Sequence, residues 1–379
     1  MKVAAIISEF NPFHNGHKYL VEKIKCEHAD CVVAIMSGNF VQRGEVAIVD
    51  KYERAKSALQ GGCDLVVELP TVFALSSAER FAKGGVQIAD ALNADILCFG
   101  AENEDVSKLT QIADAFSNDD FKSALKLNLS NGDYYAKAVA NAIEQHLSKE
   151  HADMLNGANN TLGVEYIKAL KSTNISPVAI KRLGVDHDSD ITFENISSAT
   201  YIRNLIKSGE SYTEFSDIPI SDYADINELE TAILYKLRTM SKEELENLPD
   251  VSEGLHNRIF ECARSSNSLE EFYNKLKTKR YTLSRLRRIV MCALLGITKE
   301  LNSYDAQYVR VLGMNKVGAT LLKNCKLPLL CNFPHDYEAL SLDAKKVFDI
   351  DITANSVFSL AKVKSKDFTS EYQRRIIKA

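Results

Sequence analysis

The sequence predicts an α/β fold: a doubly wound parallel sheet followed by a mainly helical C-terminal part. Three observations carry this expectation. Short β-branched runs alternate with helix-period segments over the first 210 residues. Those runs lack the in/out alternation of a solvated strand, as strands buried on both faces do. After about residue 211 the strand signal fades while helical spacing persists, so the repeated β-then-α units belong to the first part only.

The elements follow in order. Apolar runs at 3–8, 31–37, 64–69 and 96–100 are too brief for helices and read as buried strands. Segments 16–27, 52–60 and 78–92 between them have helical spacing. Residues 105–150 look helical and polar, an insertion or a lid over the sheet. A further strand is expected at 178–183, then a helix over 198–207. Ser-Asp-Ile-Pro-Ile (216–220) reads as the connection between two domains, 1–210 and 211–379. In the second, 228–240, 269–277, 283–295 and 317–323 suggest helices. In such a fold, ligands bind at the carboxyl ends of the strands.

A hydrophobic fraction of 45% with 26% charged residues excludes collagen, coiled-coil rods and wholesale disorder. The net charge of −5 conceals a partition. Residues 256–379 hold 22 Lys+Arg against 12 Asp+Glu, a net of +10, so residues 1–255 carry −15. Such asymmetry hints at a polyanion-facing half. No membrane span or export signal is expected: the longest late uncharged run, 289–298, is about half of the ~20 residues a span needs. Eight scattered cysteines without a CxxC pair read as reduced thiols in a cytoplasmic protein. Cys26, His28 and Cys31 fit no common zinc spacing, so no metal site is expected there.

The chemistry concentrates in Glu9-Phe10-Asn11-Pro12-Phe13-His14-Asn15-Gly16-His17, between the first strand and the first helix. His14 and His17, three apart, point the same way in a helix's first turn. Gly16 leaves room for phosphates to approach the backbone. The helix start supplies unpaired N–H groups and a positive dipole end for anionic oxygens. Two imidazoles there can hydrogen-bond phosphoryl oxygens as charge builds in a transition state. The alternative is a turn whose histidines merely cap the helix. Further on, Ile196-Ser197-Ser198-Ala199-Thr200-Tyr201-Ile202-Arg203 places hydroxyls at a helix start, with Arg203 as a cation for phosphates.

The first motif is the HxGH signature and resembles the nucleotidyltransferase superfamily that includes class I aminoacyl-tRNA synthetases. The second is similar to that superfamily's ISSTxxR motif, departing from it at Ala199. Other stretches narrow the likeness: Ser37-Gly38-Asn39-Phe40-Val41-Gln42-Arg43-Gly44-Glu45, Phe99-Gly100-Ala101-Glu102, Asn159-Asn160-Thr161-Leu162-Gly163 and Lys181-Arg182-Leu183-Gly184. Glu253-Gly254-Leu255-His256-Asn257-Arg258, Lys277-Thr278-Lys279-Arg280-Tyr281-Thr282 and Arg310-Val311-Leu312-Gly313-Met314 extend it through the second half. Together they resemble the tRNA(Met) cytidine acetate ligase family.

That resemblance implies a ligase acting on ATP with Mg²⁺, acetate and elongator tRNA(Met), making N4-acetylcytidine at the wobble position. It implies His14, His17, Arg43, Ser198 and Arg203 as catalytic residues. It implies an ATP site from Ile7, Ser8, Glu9, Phe10, Asn11, Pro12 and Phe13 through His14, Asn15, Gly16 and His17 to Lys18, Tyr19 and Leu20. Gly100, Asn159, Arg182 and Leu183 would complete it. From the residues alone, Gly100 reads equally as a strand-end turn, Asn159 as a helix cap and Arg182 as a surface ion pair. Arg43, in a loop flanked by glycines, suits a carboxylate or a phosphate, or is an exposed loop arginine. No obligate protein partner is evident.

Lys275, Lys277, Lys279, Arg280, Arg285, Arg287 and Arg288 put seven cations in 14 residues, with Tyr281 among them for base stacking. If helical, they form a phosphate-binding stripe for RNA; the competing reading is a solvated helix face. Another HxGH ligase or nucleotide adenylyltransferase would share the first half without needing this one. A non-catalytic tRNA-binding protein would keep the stripe and turn over no ATP.

Overall fold

A computed structural model describes residues 1–183 and 195–379; Gly184, in one of the motifs above, lies outside the described residues. The short apolar runs become strands. In chain order the elements that position the site are β1 (Val3–Ser8), α1 (Asn15–Glu27), β2 (Cys31–Ser37), β3 (Phe40–Val41), β4 (Glu45–Val46), α2 (Lys51–Gln60), β5 (Leu65–Leu69), β6 (Ile96–Ala101) and β7 (Ser176–Lys181). Three more follow late in the chain: β8 (Val309–Met314), β9 (Leu329–Leu330) and β10 (Ile377–Lys378). Every residue of β2 and β5 is buried, which is why neither shows alternation in sequence.

Eight strands form one sheet in the order β10-β8-β5-β2-β1-β6-β7, with β9 beside β8; β3 and β4 make a separate hairpin. β1 pairs parallel with both β2 and β6, β2 with β5, and β6 with β7. The chain winds outward from β1 to β5, then returns to the other side of β1. The point of reversal, between β1 and β6, is where such sheets open a crevice for ligands.

The two expected parts, 1–210 and 211–379, contribute strands to one sheet. β8 runs antiparallel to β5, and β9 and β10 pair parallel with β8, so the second part completes the first part's sheet. Between them it is mainly helical, as expected. The segment 216–220 is not a loose connection. Ser216 and Ile218 are buried, and the Ser216 hydroxyl donates to the Phe13 carbonyl at 2.6 Å.

Charge is buried where the late strands and helices meet the sheet. Lys51 Nζ lies 2.7 Å from both Glu68 and Glu371. The Arg310 guanidinium and Glu371 share the Tyr52 hydroxyl at 3.1 and 3.0 Å. Tyr308 donates to Asp351 at 2.5 Å, and Asp351 also accepts the Thr71 N–H at 2.7 Å. Asp351 lies on the helix Leu342–Ala361, the longest among the described residues. No helix among the described residues is long and apolar enough to cross a membrane.

Candidate active site

The loop leaving β1 is built around buried anchors. Phe10 has φ +46°, a left-handed backbone that a phenylalanine adopts only when its surroundings impose it. Its ring packs edge-on against Phe13 and His17, with centroids 5.0 and 4.9 Å away. The Asn11 side-chain oxygen accepts the Ile48 N–H at 2.7 Å. Below the loop, Arg54 on α2 is fully buried and donates to four carbonyls: Glu9 at 2.6 Å, Ser37 and Val49 at 3.0 Å, and Gly38. Burial pushes its guanidinium down to about 10. One side chain thus clamps the carboxyl ends of β1 and β2 together.

Both histidines of the HxGH motif cap α1. His14 Nδ1 accepts the Gly16 N–H at 3.1 Å, and His17 Nδ1 accepts the His14 N–H at 3.3 Å. An accepting Nδ1 bears no proton, so each neutral ring carries its hydrogen on Nε2. The rings stack with centroids 3.8 Å apart. Capping and phosphate binding, set against each other in the sequence reading, are therefore compatible: the cap orients the rings. A Cβ at Gly16 would sit 3.0 Å from the His14 ring. Glycine there makes room for His14, and it also lines the inner cavity described below.

The second motif joins the first directly. Arg203 Nη1 donates to the Asn11 carbonyl at 2.8 Å, and Nη2 to the Thr200 hydroxyl at 2.9 Å. Ser198 caps the helix Ala199–Ser208 by accepting the Tyr201 N–H at 3.0 Å. The neighbouring Ser197 hydroxyl is buried with no partner among the described residues. A buried hydroxyl left unsatisfied costs ~1–3 kcal/mol, which a ligand oxygen would recover.

These groups surround two adjoining open clefts, whose linings have Ile7, Ser8, His17, Asn159 and Arg182 in common. The inner one is also lined by His14, Gly16, Tyr19, Leu20, Gly100, Leu183 and Ser197. The outer adds Glu9, Phe10, Asn11, Arg43 and Arg203. Five expected site residues line neither. Pro12 and Phe13 are buried beneath the loop, and Lys18 is exposed on α1. The Asn15 amide holds the carbonyls of Asn195 and Glu214 at 2.8 and 2.9 Å. Ser198 is spent on its cap, so Ser197 is the serine that faces the cavity.

Glu102 and Asn160, quoted only as motif members, turn out to position the far wall. Glu102 accepts from the Asn159 backbone and amide at 3.1 and 2.6 Å, and from the Asn160 backbone at 2.8 Å. Burial raises its pKa, but those hydrogen bonds outweigh burial and hold the carboxyl below its usual value. Asn159 Oδ1 in turn receives Arg182 at 3.5 Å. Gly100 lies under Arg182, whose Cγ would be 3.3 Å from an added Cβ. Among the described residues, no cluster of three or more His, Cys, Asp or Glu could hold a metal ion.

The basic stretch is not one helical stripe. Lys275 ends the helix Leu269–Leu276, and a new helix, Leu283–Leu295, carries Arg285, Arg287 and Arg288. Arg285 donates to the Asp250 carbonyl at 2.6 Å and covers the ring of Tyr281, which is buried and not open to a base. Arg287 pairs with Glu45, and the buried Arg288 with Asp250 at 3.4 Å. Carboxylates distant in sequence supply the balance missing within the stretch. Gly44, at φ +74°, allows this docking: a Cβ there would lie 2.4 Å from the Arg288 nitrogen. Lys275, Lys277, Lys279 and Arg280 remain exposed, Lys275 beside Glu271 and Arg280 beside Glu253.

A mainly parallel sheet whose first strand leads to a histidine pair capping α1 at the switch point defines a nucleotidyltransferase-type site, and the HIGH Nucleotidyl Transferase family matches residues 1–373. The tRNA(Met) cytidine acetate ligase of Caldanaerobacter subterraneus subsp. tengcongensis is 41% identical, covering 95% of this chain and 96% of its own. That of Acetivibrio thermocellus is 37% identical, covering 94% of each. The crystal structure of Thermotoga maritima TmcAL in apo form I matches over the whole of both chains with TM-score 0.90 at 30% identity; its alpha-thio ATP complex matches with 0.89. The chain belongs to the tRNA(Met) cytidine acetate ligase family.

Proposed function

We propose that this chain is a ligase that activates acetate with ATP and transfers the acetyl group to N4 of the wobble cytidine of elongator tRNA(Met). The observation that carries the reading is convergence. His14, His17, Ser197 and Arg203, from two motifs far apart in sequence, meet at the switch-point cavities, in a chain 41% identical to a ligase of that name.

In the first step an acetate oxygen bonds to the α-phosphorus of ATP, and the bond to the β-phosphate oxygen breaks, releasing pyrophosphate. In this reading His14 and His17 donate to the oxygens on which charge develops, and Arg203, steadied by Asn11 and Thr200, supplies a fixed cation. Arg43, on the outer cavity wall, is placed to hold the acetate carboxylate or a phosphate. Mg²⁺ would arrive with the ATP phosphates, consistent with its habit of using few protein ligands. In the second step the cytosine amine attacks the acetyl carbonyl of the mixed anhydride, AMP leaves, and the nitrogen gives up one proton. Positioning and electrostatics suffice; no covalent enzyme intermediate is required.

Acetate-dependent exchange of pyrophosphate into ATP tests the first step. The wild type is expected to exchange, and His17→Ala to lose roughly 10²–10³ of the rate. Exchange that ignores acetate, or an unimpaired His17→Ala variant, would overturn the assignment.

A further inference from the structure

We propose that the cleft behind the Arg43–Glu45 loop is a subsite for one unpaired RNA nucleotide flanking the acceptor cytidine. This rests on the acetyl-transfer reading above and specifies how its second substrate is held. The cleft lies between the loop and the helix Leu269–Leu276. Glu45 lines both this cleft and the outer catalytic cavity, so a single loop separates the two. A nucleotide next to the acceptor could enter one space while the acceptor base enters the other.

The lining has the chemistry of single-strand recognition, which relies on an aromatic face, hydrogen bonds to a base edge and cations along the backbone. Leu269 is buried at the floor, and Tyr273, partly buried beside it, offers a ring. Tyr281, the tyrosine within the basic stretch, is already covered by Arg285, whereas Tyr273, edge-on to Phe272, borders this cleft. Exposed Asn274 carries both a donor and an acceptor for a base edge. Arg287 neutralises Glu45 on the shared wall. Glu270 on the rim repels phosphate, so the backbone would run along the opposite edge, past Lys277 towards the exposed Lys279 and Arg280.

The test is a binding cycle with full-length protein and an anticodon stem-loop RNA, intact or abasic at a position flanking the acceptor cytidine. Tyr273→Ala is expected to weaken binding of intact RNA roughly 5- to 150-fold. Tyr273→Phe should retain it, because the ring and not the hydroxyl stacks. The abasic RNA should bind the wild type more weakly, yet lose little more on Tyr273→Ala, since ring and base form one contact. Asn274→Ala, an exposed substitution that spares the fold, repeats the cycle through the base edge. Unchanged binding by both alanine variants, or full additivity of base and ring losses, would overturn the subsite. Failure of the parent reading shows separately, as a wild type that makes no acetylcytidine whatever the cleft residues do.

Discussion

Adjacent serines at one helix start do different work. Ser198 satisfies a backbone N–H of the helix Ala199–Ser208, whereas the Ser197 hydroxyl faces the cavity without a described partner. Ser198→Ala should therefore cost ~1 kcal/mol of stability in a denaturant melt. Ser197→Ala should leave the ATP-free melt unchanged or slightly raised and weaken ATP about 10- to 150-fold, the span of a hydrogen bond to a charged group. Equal effects of the two substitutions on ATP affinity would refute this division. Spacing could not make the distinction, because both serines fit a motif at a helix start. Arg54 was invisible for a related reason. A lone arginine on a helix reads as a surface residue, and only the fold shows three strand-end loops offering it their carbonyls.

At the level of elements, the strands carrying the histidine motif were legible because parallel burial leaves uninterrupted apolar runs. Two later elements were not, and buried polarity is the cause in both. β8 carries Arg310 as its second residue, buried where Glu371, Tyr52 and the Leu330 carbonyl receive it. The helix Leu342–Ala361 places Asp351, Asn355 and Ser359 four apart on a buried face, which erases its apolar stripe. The same polarity has a pH signature. Burial, reinforced by the Asp351 and Glu371 carboxylates, pushes Glu68 from 4.5 up to about 7 despite Lys51. Glu371, flanked by Lys51 and Arg310, is instead held below its usual value against its own burial. Between roughly pH 4.5 and 7 the folded chain keeps a proton on Glu68 that the unfolded chain has released, so stability from this group falls as pH rises through that window. Glu68→Gln removes the titration and should flatten the decline, by up to about 3 kcal/mol, in urea melts across the window. A slope identical to wild type would contradict it.

Across the whole molecule, the hidden charge partition needs a second reading. Part of the +10 in residues 256–379 faces inward: Arg287 and Arg288 reach Glu45 and Asp250 of the acidic portion, and Arg310 is buried against Glu371. Some of the asymmetry therefore fastens the second part of the chain to the first. Within the basic stretch, Lys277, Lys279 and Arg280 stay exposed, and these are the cations we propose for RNA. Reversing those three charges should weaken tRNA binding across sequences and lower the slope of log affinity against log salt by ~2–3. Arg287→Ala should instead appear mainly as lost stability, since it removes a contact within the protein. If Arg287→Ala alone abolishes the salt dependence while leaving the melt unchanged, the roles are reversed.

The central claim is the transfer itself, and mass spectrometry of nucleosides from elongator tRNA(Met) incubated with the purified protein tests it most directly. N4-acetylcytidine is predicted to form only when ATP and acetate are both supplied, with AMP and pyrophosphate as co-products, and to disappear with His14→Ala. Formation of AMP without acetylated tRNA, or acetylation that proceeds without acetate, would contradict the account.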